Sequence, residues 1–99
     1  MIKHVVMWRF EKSDKSVFSD SITEVEEILL KLHVVINDLN SLEVGKNFNG
    51  SDAAYDLVLI TTHDNQDALN NYQVHPEHKL AAGRIGQLAI ERAVVDFEY

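Results

Sequence analysis

Residues Ile2 to Phe10 alternate as a strand does, yet both faces of that strand carry apolar residues. Ile2, His4, Val6, Trp8 and Phe10 take one face; Lys3, Val5, Met7 and Arg9 take the other. Such a strand must be covered twice, by helices on one side and by something else on the other. Few architectures meet that demand within 99 residues, a length that builds one domain, residues 1–99, with a real core.

The segment after it turns and then changes period. Asp14 or Ser16 can cap a helix in which Phe18, Ile22, Val25, Ile28, Leu29, Leu32 and Val35 recur at steps of three and four. Glu24, Glu26, Glu27 and Lys31 lie off that stripe, on a solvated face where Glu27 and Lys31 form an i,i+4 pair. Asn37-Asp38 and Asn40-Ser41 end the helix. A second strand runs from Ser41 to Phe48, with Gly45 marking a bulge or a close backbone approach. Asn49 to Asp52 turns the chain into a third strand, Tyr55 to His63, which makes an antiparallel hairpin.

Asp64 is placed to cap the next helix, through Ala68, Leu69 and Tyr72. That helix stops at His75, because the residue before a proline is pushed out of the α region. Pro76 suits the first position of another short helix carrying His78, Ala81, Ala82 and Ile85 on one side, with Gly86 as its stop. Ala89 to Tyr99 is the last strand.

The resulting β-α-β-β-α-β order, with its second helix broken, predicts an α+β, ferredoxin-like fold with a four-stranded antiparallel sheet. Helices cover one face of the sheet. Val5, Met7, Val58, Ile60 and Val94 would be left in water on the other, and an apolar patch of that size marks a partner. A homodimer packed through the open face of the sheet buries it.

Composition removes other partners. The net charge is −7 and the basic residues are scattered, so phosphate backbones and anionic membrane surfaces repel the chain. No apolar run is long enough to span a membrane. Arg9, Glu11 and Lys12 interrupt the first hydrophobic run, unlike a signal peptide. Without cysteine there is no disulfide, thiolate or Cys-based metal site, and the cytoplasm is the default location.

Chemistry concentrates at Tyr72-Gln73-Val74-His75-Pro76-Glu77-His78, which holds the only proline and two of the five histidines. An imidazole titrates near pH 6.5 and can act as base or acid at neutral pH. His78 faces the small residues Ala81 and Ala82, which leave room beside its ring. The Tyr72 phenol could share a proton with His78 or donate to a carbonyl oxygen becoming an enolate. His4 sits among Val6, Trp8 and Phe10, where a satisfied core histidine is the plainer reading. His75 shapes the corner before the proline. The zinc pattern H-E-x-x-H, the G-x-S-x-G elbow, phosphate loops and dinucleotide fingerprints are all missing, so no metal or cofactor is expected.

Taken in order, Ile2 to Phe10, Leu42 to Asn47, Ala54 to Leu59, Tyr72 to His78 and Val94 to Glu98 resemble the stress-responsive dimeric α/β-barrel family. The most specific part is the tyrosine followed by His-Pro-x-His. Asn37-Asp38 departs from the Pro-Gly frequent after the family's first helix, which affects only the turn. The resemblance implies a homodimer whose two sheets form a dimeric α/β barrel. It extends to polyketide cyclases of the olivetolic acid cyclase type, which close a linear polyketide by aldol condensation. Their acid–base residues match His4, Tyr72 and His78.

Two readings follow. In one the protein is a cofactor-free cyclase or isomerase acting on a small apolar carbonyl compound, with His78, Tyr72 and His4 as its catalytic groups. In the other it is a non-catalytic, stress-associated dimeric binding protein in which the same groups orient a ligand or hold the fold. Cofactor-free monooxygenases and haem degraders of related barrel folds are a third, more remote comparison.

Overall fold

In the computed structural model, which describes residues 1–99, the alternation of the first segment is realised as strand β1 (Ile2–Phe10). There follow α1 (Lys15–Val35), β2 (Ser41–Lys46), β3 (Leu57–His63), α2 (Gln66–Val74), α3 (Pro76–Leu88) and β4 (Ala89–Glu98). The strands form one antiparallel sheet in the order β2-β3-β1-β4, so β1 and β3 are central. This is the expected ferredoxin-like βαββαβ fold.

Local chemistry sets the helix ends. Asp14 caps α1, its carboxylate accepting from the Ser16 and Val17 amides at 2.9 and 3.1 Å. Along the α1 stripe, Val25, Leu29 and Leu32 are buried, with Phe18, Ile22 and Ile28 packed around them. Val35 is exposed instead, because the helix ends there and the extended Ile36 fills the core in its place. The Glu27–Lys31 pair does not form. The acidic face is tied to other elements, Glu24 to Arg84 on α3 and Glu26 to Lys46 on β2.

Asn65, rather than Asp64, caps α2, its side-chain oxygen accepting from the Ala68 amide at 2.8 Å. Asp64 accepts from Asn40 at 2.7 Å and ties the end of β3 to the start of β2. His75 breaks the helix in extended conformation (φ −59°, ψ 135°), and its Nδ1 accepts from the Glu77 amide at 3.1 Å. Gly86 is not a stop. The helix continues through it to Leu88.

The hairpin strands are shorter than the alternation suggests, ending at Lys46 and resuming at Leu57. Asp56 leaves the strand to accept from the Phe10 amide at 2.9 Å and from Lys12. Gly45 is a close approach, since a Cβ there would lie 3.1 Å from Val58 Cγ1.

Residues opposite one another on antiparallel strands share a face. Val6 pairs with Val94, so Val94 belongs to the helix side and not to the open face. The open face carries Ile60, Val5 and Val95 in one row and Val58, Met7 and Ala93 in the next, with Phe97 beside Lys3. Val95 (59% exposed) and Phe97 (44%) are the bare members. No helix is long and apolar enough to cross a membrane.

Candidate functional site

Tyr72 on α2 is fully buried, and its ring stands between two imidazoles. The centroid of His78 is 4.7 Å away and that of His63 is 5.0 Å away, with His4 at 6.3 Å. The broken helix produces this contact. With Pro76 opening α3, His78 falls in its first turn, on the stripe that also buries Ala81 and Ile85. Tyr72 lies in the last turn of α2, so the corner at His75 folds one ring edge-on against the other.

Each ring has a different environment. The Tyr72 hydroxyl is buried with no hydrogen-bond partner, and burial pushes the phenol up to about 12, so it stays protonated. His78 is half-buried, and that burial, with the nearby His4, holds its imidazole below the ordinary value. The Gln73 carbonyl works in the opposite direction. A neutral ring able to accept a proton is therefore favoured at pH 7.

His63 is a satisfied core histidine. Its Nδ1–H donates to the Asp38 carbonyl at 2.7 Å, and the Thr61 hydroxyl, 2.8 Å from Nε2, donates back. Burial keeps this ring below its usual value, against the pull of the Asp38 carbonyl. His4 is also buried, and its Nδ1–H donates to the Asp96 carboxylate at 2.5 Å. A carboxylate can only accept, which leaves Nε2 as the nitrogen without a protein partner.

Beyond His4 and His78 lies a cavity of about 290 Å³ between the sheet and α1 and α3. Trp8, Leu32, Leu59 and Ile85 supply apolar wall, and Glu91 and Arg92 stand at its β4 side. Small residues keep it open: Ala81, Ala82 and Gly86 all border it, and a Cβ on Gly86 would meet nothing within 4 Å. Tyr72 does not border it; the phenol sits behind His78. A larger concavity of about 630 Å³ lies under residues 47–54 and shares no lining residue with this one. Its three cations are already paired, Lys12 with Asp56, Lys46 with Glu26 and Arg9 with Glu91. No three His, Asp or Glu side chains are gathered so as to hold a metal ion.

The three residues singled out from the sequence, His4, Tyr72 and His78, are thus brought together, whereas His75 stays at the corner as a helix cap. Sequence reasoning missed Asp96 and His63. His63 alternates with Leu57, Leu59 and Thr61 along β3 and is buried with them, but nothing local indicates its ring neighbours. Asp96 becomes visible only through the pairing of His4 with it across β1 and β4.

Similar proteins agree with this architecture. A dimeric ferredoxin-like protein of unknown function from Thermobifida fusca is 26% identical, with a TM-score of 0.84 over 99% of this chain and 90% of that one. A dimeric protein of unknown function and ferredoxin-like fold from Bacteroides fragilis is 26% identical, with a TM-score of 0.88 over 99% and 95%. A hydroxynitrile lyase from Passiflora edulis, 12% identical, shares the fold with a TM-score of 0.82 over 97% and 90%. None of the curated proteins matches the chain. Residues 2–99 match the model of the stress responsive A/B barrel domain. With that fold, and with nearly the whole chain matched, the protein belongs to the stress-responsive A/B barrel family.

Proposed function

We propose that the cavity binds a small apolar carbonyl compound and that the protein moves a proton beside that carbonyl without a cofactor. What supports this is that His4, from the sheet, and His78, from α3, both border one apolar cavity. His78 takes the proton from the carbon next to the carbonyl, and the electron pair moves onto the carbonyl oxygen as an enolate. His4 donates Nε2–H to that oxygen, while the Asp96 carboxylate balances the imidazolium this requires. Tyr72 orients His78 by its edge contact and offers a protonated hydroxyl behind it. The enolate then either attacks a second carbonyl of the same molecule, as in an aldol cyclisation, or is reprotonated elsewhere, as in an isomerisation.

The working unit in this reading is a homodimer. The apolar rows around Val5, Met7 and Val95 need covering, and the Thermobifida fusca and Bacteroides fragilis relatives are dimers.

The test is exchange of α-protons on simple methyl ketones in D₂O, followed by NMR. Wild-type protein is expected to accelerate exchange above the buffer rate, and His78→Ala to abolish the acceleration. Ketone binding by thermal shift without any exchange, in wild type and mutant alike, would leave the non-catalytic binding role instead.

A further inference from the structure

Arg92 is the one arginine of three without a carboxylate partner. Arg9 is paired with Glu91 at 3.3 Å, and Arg84 with Glu24. Arg92 lies opposite Trp8 across the β1–β4 ladder, so it leaves the sheet on the helix side and borders the cavity. Its charge is also felt at His78, after the larger effects of burial and His4. An unpaired guanidinium beside an apolar hollow is a poor structural element and a good ligand element, because its planar fork matches a carboxylate. Glu91, its neighbour in sequence, lies opposite Arg9 on the other face of the sheet, is paired with that arginine and does not neutralise Arg92. In a chain of net charge −7, this mouth is a place where an anion meets attraction.

We infer that Arg92 recognises a carboxylate, so that the cavity takes a compact apolar carboxylic acid with its acid group at the mouth and its body against Trp8, Leu32 and Ile85. The inference rests on the cavity being a ligand site, and it narrows the carbonyl compounds proposed above to those carrying an acid group. The volume of about 290 Å³ limits their size to roughly that of ten waters, at about 30 Å³ each.

Octanoate and nonan-2-one test this, because they have the same length and differ in a carboxylate oxygen against a methyl group. Calorimetric titration of the full chain is expected to show octanoate bound about tenfold more tightly, a difference of about 1.4 kcal/mol. Arg92→Leu, at an exposed position, is expected to erase that preference while leaving nonan-2-one within about twofold of wild type. Arg92→Lys should keep part of the preference. Gly86→Leu, which fills the cavity, should weaken both compounds. Octanoate preferred equally by wild type and Arg92→Leu overturns the role of Arg92 and leaves the cavity standing. Binding that survives Gly86→Leu, or no binding of either compound, overturns the cavity as a ligand site and Arg92 with it.

Discussion

His4 and Asp96 face each other across the β1–β4 ladder, and the buried imidazole donates Nδ1–H to a carboxylate that remains partly in solvent. The contact joins a central strand to an edge strand and sets which nitrogen of His4 is left for the cavity. Because β4 has a neighbour on one side only, this side-chain bond also secures the edge next to the site.

Asp96→Leu removes the acceptor of a buried donor and is expected to destabilise the fold by about 1–3 kcal/mol. Asp96→Asn keeps an oxygen in place and should lose roughly half as much or less. Urea denaturation of both variants measures the difference. Equal losses would mean that packing, not the hydrogen bond, holds this edge.

Tyr72→Phe removes a hydroxyl that is buried without a partner. Its stability is expected to stay level or rise by up to about 1 kcal/mol, since only an unsatisfied group is lost. Proton exchange on bound ketones should nevertheless slow. A stability loss above about 1 kcal/mol by thermal denaturation would mean that the hydroxyl has a partner in solution, such as a water.

Gly86 lies inside α3 beside open space, so Gly86→Ala should gain about 1 kcal/mol from helix propensity alone. Gly86→Leu should also fold, while projecting its side chain into the cavity and abolishing ligand-induced thermal shifts. A strongly destabilised Gly86→Leu would show that the hollow collapses more readily than its open lining implies.

Stability should begin to fall as soon as the solution is acidified below neutral pH. His63 and His78 are both held below the ordinary histidine value of 6.5 in the folded state, chiefly by burial. The unfolded chain therefore binds more protons than the folded one below that pH. The stabilisation is fully present above about 6.5 and is lost as pH falls through the lower folded values. Glu11 and Glu24 are lowered from 4.5, so their contribution is lost only in more acidic solution. Urea midpoints should decline between pH 7 and 5, and less steeply in His78→Ala. A flat profile across that range would contradict the neutral burial of these rings.

Val95 neighbours Val5 on the open face. Val95→Lys would bury a charge from each subunit at the proposed dimer interface, costing several kcal/mol. Sedimentation velocity is expected to show a dimer for wild type and a monomer for the variant at micromolar concentration. Dimers of the variant as tight as wild type would move the interface to another surface.

Period and punctuation alone determined the element order, the ferredoxin-like fold, the corner at Pro76 and the two-sided apolar character of the first strand. These are local properties: alternation follows from the pleat, the helix stripe from its turn, and the break from a missing amide hydrogen and a crowded ring. They also brought His4, Tyr72 and His78 to notice, through residue type and the resemblance that the matched segments carry. Only the tertiary structure decided what those groups touch. Strand register joined His4 to Asp96 and moved Val94 to the helix side, and the packing of α2 on the sheet set Tyr72 behind His78 and against His63. The hollow that Arg92 borders exists because small residues on α3 face large ones on β1. Register and packing depend on residues distant in the chain meeting in space, and no pattern read along one segment contains that.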